Sequence, residues 1–479
     1  MAAQKITGRE NELQILENLL HAKEAELLAI YGRRRVGKTF LIKNFYGPQM
    51  IFSCTGLLNG TTKAQLFNFS RQLESWFPDK KIAFAPATWQ EAFLQLKDCI
   101  VSVKHNNKKV IFFDELPWLE SHKSNFLSFF GYFWNNFAVS RPDIIVVICG
   151  SAASWIIDKV VNNKGGLHNR ITQRIRLLPF TLKETQAYLQ HRNIHLEHYQ
   201  LLQLYMVMGG IPAYLNGIQR GKSAAQNIET ICFSKDGVLT NEFDNLYAAL
   251  FNSAEKHVQV IQALAKKHKG LTRSELLLAA RLVTGGRITT VLTELTESGF
   301  IEKTYPFAKK EKESLYRLSD EFSLFYFKFM YKQPAVEKGQ WLARQSTPSY
   351  VSWCGYAFES ICLKHVQQIK MAMQIGGLQT KGVSWLKTGT GSVSGAQIDL
   401  LIDRADHMIN ICEIKFSAHP YTITKKYAAE LRNKIMSFRQ ETKTTRQLVL
   451  TFITTYGLAD NIYKEQLVEQ EVTMEALFI

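Results

Sequence analysis

The chain has no CxxC pair, and its seven cysteines (Cys54, Cys99, Cys149, Cys232, Cys354, Cys362 and Cys412) are odd in number and scattered. That pattern argues against a zinc ribbon or a disulfide framework, and predicts small buried hydrophobes in a reducing compartment. Long apolar runs are also missing. The longest, Ile144 to Ile157, is broken by Gly150, Ser151 and Ser154. It falls short of the roughly 18 residues that a spanning helix needs, so no membrane partner is expected. Lys5, Arg9 and Glu10 stand where a secretory signal would need an apolar core, which leaves the cytoplasm as the expected compartment. Acidic residues are scarce: 42 Asp and Glu against 58 Lys and Arg give a formal net charge of +16, a surface potential that attracts polyanions such as nucleic acid. The rest of the composition is that of a folded protein, and 479 residues at about 150 per domain predict roughly three or four domains.

Leu27-Leu28-Ala29-Ile30-Tyr31 is a continuous apolar run of the kind that forms a buried parallel strand. It leads directly into Gly32-Arg33-Arg34-Arg35-Val36-Gly37-Lys38-Thr39, a GxxxxGK[ST] loop, followed by a helical segment to Phe45. Such a loop turns successive backbone N–H groups and a helix N-terminus toward phosphates, so ATP is the expected cofactor. Lys38 is then the counter-charge of the β and γ phosphates, and the Thr39 hydroxyl is a ligand of Mg²⁺. A second apolar run, Val110 to Phe113, ends in Asp114-Glu115. Asp114 is expected to hold Mg²⁺ through water and Glu115 to orient or deprotonate the attacking water, which predicts hydrolysis. A surface acid pair at a strand end is the alternative. A third run, Ile144 to Cys149, ends in Gly150-Ser151. Ser151 resembles the polar γ-phosphate sensor of AAA+ and STAND ATPases, with a helix N-cap as the alternative.

Gly8-Arg9-Glu10-Asn11-Glu12-Leu13, the Gly32–Thr39 loop, Phe113-Asp114-Glu115 and Gly150-Ser151 together resemble the archaeal-type ATPase family within the STAND branch of P-loop NTPases. The resemblance implies that Gly8 and Arg9 lie near the adenine. It also implies that Met208-Gly209-Gly210-Ile211-Pro212 is the turn of a helical lid, with Pro212 approaching the nucleotide.

From Ala254 to Leu318 the periodicity predicts helix, turn, helix and hairpin, which is a winged helix in outline. Leu271-Thr272-Arg273-Ser274-Glu275-Leu276 reads as a helix cap, and Arg287 opens the helix that would enter a groove. The basic loop Lys309-Lys310-Glu311-Lys312 would lie on phosphates. A protein-interaction winged helix is the alternative. The aromatics Phe325 to Phe329 are expected to pack between elements, and a linker is expected near Lys332 to Ser349, where Pro334 and Pro348 flank mixed polar sequence.

Further on, Gln397 to Asp403 and Met408 to Lys415 read as a β-hairpin that sets Asp399 beside Glu413 and Lys415, after an amphipathic helix, Trp353 to Gln368, carrying Glu359. Two carboxylates and the Ile414 carbonyl could hold a divalent cation, with Lys415 positioning water. The arrangement is similar to the PD-(D/E)XK restriction-endonuclease-like superfamily. Asp399 matches the first acid and Glu413-x-Lys415 the ExK, with Glu359 as a further metal ligand and Gln397-Ile398 where that motif has its proline. The alternative is a degenerate domain in which Lys415 pairs with Asp399 or Glu413.

The expected fold is therefore multidomain α/β. A P-loop NTPase parallel sheet spans 1–180, a helical lid 181–250, a winged helix-turn-helix 251–331, and an α/β restriction-endonuclease-like domain 345–479. The expected function is a STAND-type ATPase coupled to DNA binding and phosphodiester cleavage, with Mg²⁺, or Mn²⁺ at the C-terminal site. An ATP-dependent regulatory or scaffold protein with an inactive nuclease-like domain is the alternative. DNA is the expected partner, and self-association into a homo-oligomer is open.

Overall fold

The computed structural model describes residues 5–80, 82, 84–104, 107–161, 165–251, 253–307, 313–332, 339–387 and 396–479. These group into two compact units. One runs to Pro179 and includes Leu292–Gly299; the other comprises Phe180–Val291 and Phe300–Ile479.

The first unit is built on five strands: β1 (Glu26–Tyr31), β2 (Met50–Thr55), β3 (Lys109–Asp114), β4 (Ile144–Gly150) and β5 (Gln173–Arg176). They lie in the order β2-β3-β4-β1-β5, with every neighbouring pair parallel. Parallel strands need helical crossovers that cover both faces, which is why these strands are apolar runs without alternation. Leu27, Ala29, Phe113, Val146 and Ile148 meet Phe69, Trp89, Phe93, Phe126 and Phe130 in one core. Those rings come from helices Thr62–Trp76, Trp89–Ser102 and Phe126–Asn136. Trp89 and Phe126 meet edge to face at 4.7 Å. Each such buried side chain contributes roughly 1.5–3 kcal/mol. Because β1, β3 and β4 are parallel neighbours, Gly32, Asp114 and Ser151 all emerge at the same edge of the sheet.

In the second unit, helix Leu182–His191 starts at a Thr181–Glu184 capping box and is followed by the buried helix His198–Met208. Helices Glu255–Ala265, Arg273–Ala280 and Gly286–Glu297 come next in the chain, the last running into the Leu292–Gly299 segment of the first unit, with β6 (Leu271–Thr272), β7 (Ile301–Thr304) and β8 (Leu315–Leu318). These strands form an antiparallel sheet ordered β6-β8-β7. Lys309, Lys310, Glu311 and Lys312 lie outside the described residues, as does Pro334. The Phe325 ring packs on Trp341 and Trp353, at 5.2 and 5.5 Å.

The C-terminal part of this unit is a mixed sheet of β9 (Thr380–Lys387), β10 (Ala396–Arg404), β11 (Met408–Lys415), β12 (Gln447–Thr454) and β13 (Gln470–Thr473). Its order is β13-β12-β11-β10-β9. The first three strands are antiparallel, whereas β12 and β13 run parallel to β11. The parallel step from β11 to β12 is carried by helix Lys425–Thr442, the crossover that such a step requires. Trp385, Ile398, Leu401, Ile411, Leu431, Phe438 and Phe452 form the core beneath it. Helix Pro348–Lys364 precedes the sheet, capped by the Thr347 hydroxyl with Pro348 in its first turn. Among the described residues no helix is long and apolar enough to cross a membrane. The cysteines are free and buried.

Candidate functional site

The loop after β1 is held by backbone geometry that side chains would forbid. Gly32 has φ +148°, and a Cβ there would lie 2.3 Å from the Leu177 carbonyl oxygen. Gly37, at φ +94°, is the N-cap of helix Lys38–Phe45. Glycine adopts such φ values without steric cost. The loop therefore curls tightly into the helix and leaves the helix N-terminus facing its hollow, an anion-binding arrangement. Arg35 also takes a positive φ, 72°. Arg33 and Val36 are buried, and the Arg34 guanidinium lies 6.0 Å from the Trp118 ring centre.

The polar groups at this edge form one connected set. The buried Lys38 ammonium donates to the carbonyls of Gly32 and Arg33 at 2.8 and 2.9 Å, and to Ser151 Oγ at 3.2 Å. The Thr39 hydroxyl donates to Asp114 Oδ2 at 2.8 Å, while Asp114 Oδ1 accepts the Glu115 N–H at 3.0 Å. Hydroxyl and carboxylate thus stand together as a hard-oxygen donor pair, a chemistry that suits Mg²⁺ shared with nucleotide phosphates. Glu115 sits in the left-handed region at φ 46°, a conformation costing about 1–2 kcal/mol for an L-residue. Its carboxylate accepts from the Ser151 N–H at 3.0 Å and from the Ser151 hydroxyl at 2.6 Å. Ser151 therefore faces Glu115 and Lys38. The following short helix, Ala153–Ile156, has Ala152 as its N-cap, with no side-chain cap bond. Upstream, Gly8 and Arg9 both have positive φ, and Arg9 Nη2 donates to the Val36 carbonyl at 3.2 Å, which ties that segment to the loop. Pro212 belongs to the second unit, in the first turn of helix Pro212–Leu215.

A separate polar cluster lies on the C-terminal sheet. Leu400 pairs with Cys412 and Leu401 with Ile411, and just beyond those pairs the charges of Asp399 and Glu413 act on each other. The β9–β10 register shifts between Ile398 and Leu401, so an irregularity falls at Asp399; such bulges re-aim side chains. Asp399 Oδ1 accepts from Gln397 Nε2 at 2.7 Å. The buried Glu413 carboxylate is met by Lys415 at 3.0 Å, by Lys434 at 2.5 Å and by the Tyr427 hydroxyl at 2.5 Å. Glu359, on helix Pro348–Lys364, has Arg317 Nη1 at 3.9 Å. Sequence reasoning missed Tyr427 and did not connect Lys434 to Glu413; both reach the acid from the crossover helix.

The electrostatics separate the three acids. Burial raises the Glu359 carboxyl to about 7, with the Asp399 charge adding to the effect and Arg317 opposing it. Burial, then Glu413, also raises Asp399. Burial would raise Glu413 as well, but Lys434 and Lys415 outweigh it and hold that carboxyl below its usual range. Glu359, Asp399, Glu413 and Lys415 are thus within electrostatic reach of one another. Among the described residues, however, no group of three or more His, Cys, Asp and Glu side chains is arranged to hold a metal ion. Asp399 and Glu413 are hard-oxygen donors suited to Mg²⁺ or Mn²⁺. They make a pair compensated by lysines and not a ready cage.

Comparison with known proteins gives the first site its class. An uncharacterized protein of Methanocaldococcus jannaschii is 24% identical over 442 residues, covering 89% of this chain and 91% of its own. An uncharacterized ATP-binding protein of the same organism is 54% identical over 38 residues, which are 8% of this chain and 64% of that protein. Among solved structures, a Walker-type ATPase of Pyrococcus abyssi superposes with a TM-score of 0.49 at 18% identity, over 67% of this chain and 96% of its own. Residues 6–218, spanning the whole P-loop site and Pro212, match the model of an ATPase domain found predominantly in Archaea. This chain therefore carries a P-loop ATPase domain of the archaeal type.

Proposed function

We propose that ATP binding and hydrolysis at the P-loop govern DNA binding and phosphodiester cleavage by the C-terminal α/β domain. The observation that carries this reading is the gathering of Glu359 and Asp399 within electrostatic reach of Glu413 and Lys415, which are themselves paired at 3.0 Å. The surrounding topology supports it: a helix bearing Glu359, three antiparallel strands, a crossover helix and a parallel strand. The net charge of +16 favours a polyanionic substrate. The three helices and antiparallel sheet between Glu255 and Leu318 suit a winged helix, with Arg287 at the start of its third helix.

At the P-loop, Lys38 offsets phosphate charge and Thr39 with Asp114 would hold Mg²⁺. Glu115 takes a proton from the attacking water once its carboxylate exchanges Ser151 for that water. In the C-terminal domain, Asp399, Glu413 and the Ile414 carbonyl would hold Mg²⁺ or Mn²⁺, with Glu359 facing it from the helix. Such an ion, when bound, would supply charge stabilisation at the scissile phosphate. Lys415 orients water and offsets phosphate charge.

Incubating supercoiled plasmid with the full chain and Mn²⁺ tests the reading. Nicking is expected for the wild type and not for Glu413→Gln or Asp399→Asn. A wild type that cleaves neither single- nor double-stranded DNA or RNA sinks it. The second reading, a regulatory ATPase with a catalytically silent nuclease-like domain, then takes its place. One observation favours that reading: both oxygens of Glu413 already face lysine ammonium groups.

A further inference from the structure

Residues 6–218 match the ATPase domain, yet from Phe180 onward that stretch belongs to the second compact unit. Helices Leu182–His191 and His198–Met208 are therefore ATPase domain by sequence and part of the C-terminal body by packing. Two joints within the second unit account for this. The first lies at the start of helix Leu182–His191, where the opening N–H groups have no partner inside the helix. The Thr181 hydroxyl accepts the Glu184 N–H at 3.2 Å, and His365 Nε2 accepts the Leu182 N–H, also at 3.2 Å. His365 is the C-cap of helix Pro348–Lys364. Its Nδ1 donates to the Ile361 carbonyl at 2.8 Å, which leaves Nε2 as the acceptor, and burial keeps the ring neutral by lowering its pKa to about 4. The preceding residue, Lys364, meets one oxygen of the buried Glu321 at 2.5 Å. The other oxygen of Glu321 lies 2.7 Å from where a Cβ on Gly209 would stand, so the turn that ends helix His198–Met208 rests against this ion pair.

The second joint is aromatic. Tyr199, in the first turn of helix His198–Met208, stacks on Phe416 with ring centres 5.5 Å apart and planes 16° from parallel. Phe416 in turn meets Phe358 at 5.8 Å. Phe416 directly follows Lys415 in the chain and Phe358 directly precedes Glu359. One stack thus reaches the neighbours of two members of the acid cluster, on a strand and on a helix. Close-packed rings compress little, so a shift of one is passed to the next. We propose that helices Leu182–His191 and His198–Met208 form a coupling arm: their displacement on ATP binding is carried through Tyr199, Phe416 and Phe358 to Lys415 and Glu359, while the His365 joint fixes the arm to helix Pro348–Lys364. This rests on the reading that ATP governs the C-terminal domain, and adds to it the route by which the nucleotide acts. Neither Tyr199 nor Phe416 belongs to the P-loop site, so the route can be cut while that site is kept.

Amide hydrogen exchange of the full chain, read by mass spectrometry with and without a non-hydrolysable ATP analogue and Mg²⁺, tests the route. In the wild type the analogue is expected to change exchange by at least about fivefold, the low end for coupled sites. The change should appear in the P-loop and helix His198–Met208, and also in β11 and helix Pro348–Lys364. In Tyr199→Ala and in Phe416→Ala, both at half-buried positions, the response of the P-loop and helix His198–Met208 should persist. That of β11 and helix Pro348–Lys364 should fall below about twofold. Exchange of β12 without nucleotide reports whether each variant is folded; if an alanine variant loosens it, Tyr199→Leu and Phe416→Leu, which keep apolar bulk but not the stacked faces, decide the matter by the same criterion. A wild type in which the P-loop responds and the C-terminal peptides do not overturns the proposal, as does a full C-terminal response in the folded variants. Absence of Mn²⁺-dependent nicking with this exchange pattern intact removes only the cleavage reading. ATP-dependent nicking that is unchanged in both variants removes only the coupling arm.

Discussion

The two polar sites of this chain are assembled in opposite ways. The P-loop site takes most of its polar groups from one unbroken stretch, Gly32 to Thr39, and adds Asp114, Glu115 and Ser151 from the ends of neighbouring parallel strands. The C-terminal cluster draws Arg317 and Glu359, Asp399, Glu413 and Lys415, and Tyr427 and Lys434 from a hairpin, two helices and two strands. In the first, glycine backbone geometry shapes the loop and a few side chains supply charge. In the second, side chains do everything, and each depends on packing between elements far apart in the chain. A contiguous site is set by local conformation; a dispersed one is set by tertiary register, so one shifted helix turn would disband it.

The largest effect should come from removing the Lys38 ammonium group, which the loop carbonyls of Gly32 and Arg33 hold. Lys38→Ala is expected to weaken ATP binding by roughly 10²–10³-fold, the scale for losing one partner of a buried charge pair. The neighbouring sheet should be left intact, because among the described residues Lys38 donates only to loop carbonyls and Ser151. Titration calorimetry with ATP and Mg²⁺ checks it. An unchanged Kd would mean that the contiguous site is not where the nucleotide binds, and the contrast between the two sites would collapse.

A second substitution separates binding from chemistry at the same site. Glu115→Gln keeps the volume and can still accept from Ser151, so ATP should bind with wild-type affinity. Hydrolysis should fall by roughly 10²-fold or more, the range for loss of a general base. Phosphate release under single-turnover conditions reads this directly. Wild-type turnover would reduce Glu115 to a structural acid whose left-handed backbone serves only the turn into helix Leu116–Leu119.

The same contrast governs what could be read before any coordinates. Every apolar run leading into the P-loop site is a strand, β1, β3 or β4, because continuous Val, Ile, Leu and Phe segments are stable only when buried on both faces. Thr272 with Glu275 predicts a helix start, and the structure has both bonds of that capping box. The hairpin of β10 and β11 follows from its alternation and turn. Helix limits are less legible: the amphipathic pattern from Trp353 to Gln368 begins in fact at Pro348 and is interrupted at His365. The Thr347 cap with Pro348 behind it lies in a stretch that reads as linker. Lys434 could not be assigned to Glu413, because a basic residue on a polar helix face looks the same whether it meets solvent or a buried acid on a sheet. Ser151 kept two readings for a similar reason, since the bond that distinguishes them runs to Glu115 on another strand.

The smallest expected effect tests whether the dispersed cluster is electrostatically live. Burial and Asp399 raise the Glu359 carboxyl from 4.5 to about 7 in the folded chain. Folding therefore favours its protonated form. The corresponding stability is fully present below about 4.5 and is lost as pH rises through about 7. Wild type should accordingly lose thermal stability between these values, by an amount on the order of 1–3 kcal/mol at most, since one pKa unit corresponds to about 1.4 kcal/mol. Glu359→Gln mimics the neutral acid and should flatten that slope, so that variant and wild type coincide near pH 4.5 and the variant is the more stable near pH 8. Melting curves across this range, compared with Asp406→Asn at an exposed turn, isolate the contribution. A wild-type slope unchanged by Glu359→Gln would mean that Arg317 and solvent already neutralise this carboxylate. The acids of the C-terminal sheet would then titrate independently, as a surface group does, and not as one buried cluster.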